Sequence, residues 1–71
     1  MRYLVVVEEG PESFGAHVPD IPGCIAVGKT REEALTLIRE AIAFHLEGLR
    51  EEGAYLPSPM SSSEMIEVQA A

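Results

Sequence analysis

Apolar positions come in short runs separated by turn residues at the start of the chain, and recur every three or four positions in its middle. Arg2 to Glu8 is rich in β-branched and apolar residues, Glu9-Gly10-Pro11-Glu12-Ser13 breaks the run, and Phe14-Gly15-Ala16-His17-Val18 resumes it. Two such runs around a Gly-Pro break predict a hairpin. A third strand, Cys24-Ile25-Ala26-Val27, follows the loop Val18-Pro19-Asp20-Ile21-Pro22-Gly23-Cys24 and stops at Gly28. Three strands with short links form an antiparallel meander. In the loop, Pro22 fixes φ for the first corner of a tight turn, Gly23 can take the positive φ of a type II turn, and Asp20 can accept local backbone N–H bonds.

The pattern then changes period. Thr30-Arg31-Glu32-Glu33 fits a capping box, in which the Thr hydroxyl and the Glu three residues later satisfy each other's free N–H groups. The helix it starts can run to Glu52, with Gly53 placed for a left-handed C′ residue. Gly48 inside it costs about 1 kcal/mol relative to Ala, which suggests a need for close packing. Leu35, Ile38, Ile42, Leu46 and Leu49 form the stripe that lies on the sheet, and Leu37, Ala41, Phe44 and Gly48 occupy an adjoining sector. The apolar arc covers roughly half the circumference, more than one sheet can hide. Leu37 and Phe44 are therefore the candidates for self-association.

Tyr55 to Ser63 reads as a connector and Glu64 to Gln69 as a last strand. Strand, helix and strand in one sheet favour a right-handed crossover, with the last strand parallel to the first and the sheet ordered 3-2-1-4. This is an α+β class, β-β-β-α-β, with one long helix on one face and a single domain over residues 1–71. The first strand is apolar on both sides, Tyr3, Val5 and Val7 against Leu4 and Val6. The third repeats this, with Cys24 and Ala26 against Ile25 and Val27. One helix covers one face, so the other calls for a symmetric dimer or a bound partner.

Composition narrows the chemistry. Twelve acidic residues stand against five basic ones, for a net charge of -7, and the bases (Arg2, Lys29, Arg31, Arg39, Arg50) are scattered. Such a chain repels phosphate backbones, so direct nucleic-acid binding is not expected. The charge suits either encounter with a basic partner or plain solubility. Cys24 is the only cysteine and cannot close an internal disulfide; it reads as a small buried hydrophobe. The apolar run before Glu8 is too short for a signal peptide or membrane span, which with the lone thiol suggests a cytoplasmic protein.

His17 and His45 are far apart, and no His, Cys or carboxylate spacing suggests a metal. If Phe14, Ala16 and Val18 point to the core, His17 points to the uncovered sheet face, where it is a partner contact or an ordinary surface residue. His45, at the edge of the helical stripe, reads as partly buried and hydrogen-bonded. No catalytic triad, phosphate loop or cofactor motif is found. The Pro-Gly loop is either a rigid connector or part of an interface.

The VPDIPGC loop (Val18 to Cys24), Gly28-Lys29-Thr30 with Glu32-Glu33-Ala34, Glu40-Ala41-Ile42 and Leu56-Pro57-Ser58-Pro59, in this order and spacing, resemble the HicB family of antitoxin proteins over residues 2–69. Lys29 departs from the small acidic residue expected there. The resemblance implies a partial ribonuclease H-like fold and a role in binding and inhibiting a small basic RNA-cleaving toxin of the HicA type. Many members carry a C-terminal helix-turn-helix or ribbon-helix-helix domain. The present sequence ends at Ala71, so operator binding is not carried over, and an orphan member acting as an oligomeric scaffold or small-ligand module is the alternative.

A ribonuclease H-like fold also raises residual nuclease chemistry, which needs several carboxylates converging on divalent ions. Asp20 is the only aspartate and lies in a loop, with Glu8 and Glu9 the nearest other candidates. No enzyme is expected, with no catalytic residue, cofactor or metal. The candidate partner contacts are His17, Asp20 and Pro22, and a homo-oligomer is expected.

Overall fold

In the computed structural model, which describes residues 1–70, the apolar runs form β1 (Val6–Glu9), β2 (Phe14–His17) and β3 (Ile25–Gly28), and the periodic stretch forms one helix, α1 (Arg31–Glu51). The strands make an antiparallel sheet in the order β1-β2-β3, with β2 in the centre. The expected α+β meander with one helix on one face is present. Val6, His17 and Ile25 stand opposite one another in one row, and Glu8, Gly15 and Val27 in the next.

The expected fourth strand is absent among the described residues: 64–69 pair with no strand, and the order 3-2-1-4 is replaced by a sheet of three. The cause lies just upstream. The chain leaving α1 passes β1, where the Tyr3 hydroxyl donates to the Pro57 carbonyl, and is then held at the β2–β3 loop by Asp20. That path carries it away from the free edge of β1. The radius of gyration is 14.3 Å, against roughly 11 Å for a compact chain of this length. All side chains of residues 62–70 are exposed.

Both ends of α1 are closed by local chemistry. Thr30, in an extended conformation, accepts from the Glu33 N–H at 3.0 Å. The reciprocal half of the capping box is displaced by one residue, because Glu33 Oε1 accepts from the Lys29 N–H at 2.6 Å and not from Thr30. At the far end Gly53 has φ 72°, its N–H donates to the Arg50 carbonyl, and the Ala54 N–H donates to Leu49. This pair of bonds is a Schellman motif, with Gly53 at the expected left-handed position.

Ala16, Val18, Ile21, Cys24, Ala34 and Ile38 form the buried core, with Tyr3, Val5, Val7, Phe14, Ile42 and Leu46 packed around it. Ala34 was not marked by the leucine-isoleucine stripe, yet it is fully buried. It sits where α1 starts against the end of β3: a Cβ on Gly28 would lie 2.6 Å from the Ala34 nitrogen. Only glycine permits that approach. Gly48 is the reverse case, since a Cβ there would meet nothing within 4 Å and no close packing explains it. Of the adjoining sector, Ala41 packs on the core, whereas Leu37 is 38% exposed and Phe44 81%.

Candidate functional site

The Val18–Cys24 loop is built from two consecutive turns. The Ile21 N–H donates to Val18 and the Cys24 N–H to Ile21, while Val18 donates across to the Cys24 carbonyl, each at 3.1 Å. Gly23 has φ 83°, the value its place after Pro22 in a type II turn demands. The turns drive Val18, Ile21 and Cys24 inward and leave Pro22 and Gly23 exposed. The loop is thus fixed from below by the core. Cys24 is a buried free thiol whose pKa is raised by burial, which makes it a poor nucleophile.

Asp20 does not bond its own loop as expected. Its Oδ2 accepts from the N–H groups of Met60 and Ser61 at 2.9 and 2.8 Å, and its Oδ1 from the Ser61 hydroxyl at 2.8 Å. The Ser61 N–H and then its hydroxyl hold the carboxyl below the ordinary aspartate value, with Met60 adding to the effect. Asp20 is therefore a clamp for a segment forty residues away, with its oxygens already engaged.

On the other side of the sheet lies an uncovered face. Alternation sends Ala16, Ala26 and Val7 toward α1, so His17, Ile25 and Val27 point outward. Ile25 is 68% exposed and Val27 64%, and half-buried His17 lies between Val6 and Ile25 in register. Gly15 leaves open space in the neighbouring row, between Glu8 and Val27. The face is a shallow apolar strip with an imidazole at one end and a carboxylate at the other. Pro22 is near the His17 end of the strip, in the exposed turn that links β2 to β3. The alternation in the third strand marked the outward side, but Ile25 and Val27 were not singled out as contacts.

Of the sequence candidates, the structure thus places His17 on the open face, Pro22 on an exposed turn, Asp20 in a clamp, and Leu37 and Phe44 on the far side of α1. His45 is half-buried on α1. Among the described residues no group of three His, Cys, Asp or Glu side chains could hold a metal ion, and no helix is long and apolar enough to cross a membrane.

The class so defined is a small α+β domain, a three-stranded antiparallel meander with one helix on its inner face and an exposed apolar outer face. The chain belongs to the family of HicB_like antitoxins of bacterial toxin-antitoxin systems, whose model matches residues 3–70. It is 36% identical to the N-terminal domain of the Burkholderia pseudomallei antitoxin HicB, with a TM-score of 0.72 over 82% of this chain and 69% of that one. A HicA3 and HicB3 toxin-antitoxin complex contains a chain 37% identical, with a TM-score of 0.70 over 84% of this chain and 70% of that one.

Among sequence relatives, Antitoxin HicB 2 of Photorhabdus laumondii is 33% identical over all of this chain and 52% of its own length. An uncharacterised 14.9 kDa protein of Haemophilus phage HP1 is 40% identical over 80% of this chain and 43% of its own. The chain thus spans about half the length of these two. It matches a UPF0150 protein of Thermoplasma acidophilum over that protein's whole length, at 35% identity.

Proposed function

We propose that this protein is a non-enzymatic antitoxin that acts in the cytoplasm, binding a small basic HicA-like RNA-cleaving toxin and occluding it. The observation that carries the reading is the open sheet face, where Ile25 and Val27 stand exposed beside His17 in a chain of the antitoxin family. An apolar strip of this kind needs a cover that the chain's single helix does not provide. Likeness to a chain of a HicA3 and HicB3 toxin-antitoxin complex, in a protein of the HicB_like antitoxin family, supports a toxin as that cover.

In this reading His17 and Pro22 contact the toxin directly, and Asp20 acts by holding Met60 and Ser61 beside them. Inhibition is steric. The net charge of -7 speeds encounter with a basic partner and makes the on-rate fall with ionic strength. Phe44, with Leu37, is the sector assigned to contacts between copies.

The test is to co-purify the chain's small basic partner from its native cells and to titrate that partner's RNA cleavage with the purified chain. Stoichiometric inhibition is expected, weakened at least tenfold by the double variant I25D/V27D and less by His17→Ala. No inhibition by the unaltered chain sinks the reading. A stand-alone scaffold is the second reading, favoured by the full-length match to the UPF0150 protein of Thermoplasma acidophilum. It gains if the chain self-associates and inhibits nothing.

A further inference from the structure

Three features of the fold lie outside the reading above: an open edge, a groove beside it and an exposed segment with a strand-like sequence. β1 ends the sheet with its free side unpaired; Glu8 and Glu9 charge its second half, and Val6 and Val7 leave the first half uncharged and open to pairing. α1 lies mainly over β3 and β2, so the β1 side of its inner surface is left open. There Tyr3, Val5, Leu35, Ile38, Arg39 and Ile42 line a groove of about 310 Å³. Within 64–69 the stretch Ile66-Glu67-Val68-Gln69 alternates with period 2, with Ile66 and Val68 on one side behind Glu64, and Glu67 and Gln69 on the other behind Met65. Ile66 is 72% exposed and Val68 79%.

We propose that Glu64–Gln69 of each chain adds as a fourth strand to the β1 edge of a second copy, reciprocally, forming a strand-exchanged dimer. The path of the chain selects the second copy over the same one. Pro57 is held at Tyr3 beside β1, and Met60 and Ser61 at Asp20 on the β2–β3 loop, so the chain crosses the end of the sheet away from its own free edge. With the Asp20 clamp in place, pairing with its own β1 requires the chain to turn back within Ser62 and Ser63, the two residues between the clamp and Glu64. Pairing with another copy requires no such reversal.

In the dimer Ile66 and Val68 seat over Ile38 and Ile42, and Glu64, on the same side of the strand, meets Arg39 at the groove rim. The exchange is isologous, so two copies close it completely. It also restores the order 3-2-1-4 between chains, the arrangement of a partial ribonuclease H-like fold. This site is separate from the toxin-facing strip and from the Leu37–Phe44 sector.

Light scattering with amide hydrogen exchange tests it. The expected result is an even-numbered assembly in which the amides of 64–69 are protected and lose protection on dilution. I66K/V68K should halve the mass and abolish that protection while the helical circular dichroism stays unchanged, because both side chains are exposed in the single chain. Leu35→Glu, in the groove, should halve the mass too. A monomeric unaltered protein overturns the proposal, as does a mass unchanged by I66K/V68K. Protection of 64–69 in a monomer would show pairing with the chain's own edge. A mass lowered by I66K/V68K but not by Leu35→Glu would show the two segments pairing with each other instead.

Discussion

The Val18–Cys24 loop and the segment that follows α1 are built from similar material, prolines with interspersed apolar side chains, and end in opposite states. In the loop Val18, Ile21 and Cys24 are 2%, 1% and 2% exposed, whereas Met65, Ile66 and Val68 in the segment are 94%, 72% and 79% exposed. The difference lies in the backbone. The loop closes on itself through three main-chain hydrogen bonds that aim its side chains into the core, while the segment, among the described residues, is hydrogen-bonded to the rest of the chain only at Pro57, Met60 and Ser61. A local pattern therefore states how much apolar surface must be hidden, and the path of the chain decides which surface hides it.

The comparison breaks most sharply on substitution of one isoleucine from each region. Ile21→Ala opens a cavity in a filled core and should cost about 2–5 kcal/mol in urea unfolding. Ile66→Ala, on an exposed position, should leave the unfolding free energy of the single chain within about 0.5 kcal/mol. A large loss from Ile66→Ala at a dilution where the protein is monomeric would mean that the segment is packed on its own chain.

Next in size is Gly28→Ala, where the new methyl meets backbone and not a side chain that can swing aside. A loss of about 1–3 kcal/mol is expected, read from the same unfolding curves. Gly48→Ala should do the reverse. Its Cβ enters open space in a helix interior, so the single chain should gain about 0.5–1 kcal/mol. If the gain appears in the free protein but binding to the proposed partner weakens, a partner backbone approaches α1 at Gly48.

These two glycines also show how far the sequence could be read. The hairpin, the type II turn at Pro22-Gly23, the Thr30 cap and the Gly53 stop all rest on local rules, and the fold obeys them. The outward side of β3 was equally legible, because alternation assigns faces without knowledge of the partner. What was not legible depends on contacts across long separations. Ala34 is buried because Gly28 lets the helix approach, and no apolar period signals a small residue for that role. Asp20 looked like a turn residue and binds Ser61, and a strand pattern at 64–69 carries no information about whose edge it joins. The surface reading depends on Ile25 and Val27 more than on Asp20 and Pro22 of the loop.

The smallest effect on overall stability, and the most specific to the segment, is the pH dependence of the Asp20 clamp. Its folded pKa is depressed, chiefly by the Ser61 N–H, so the ionised carboxylate is the form that holds the segment. The unfolded chain binds the proton more readily. The clamp's contribution is therefore complete above the ordinary aspartate value, shrinks as pH falls through that value, and is gone below the depressed one. Amide exchange or NMR shifts of Met60 and Ser61 should report release over this acid range while the core amides of Ile21 and Ile38 stay protected. Asp20→Asn keeps one acceptor oxygen but no charge, and should show the released state at neutral pH with no titration. Release of the core in the same step would mean that the segment and the loop are one cooperative unit, and the contrast between them would fail.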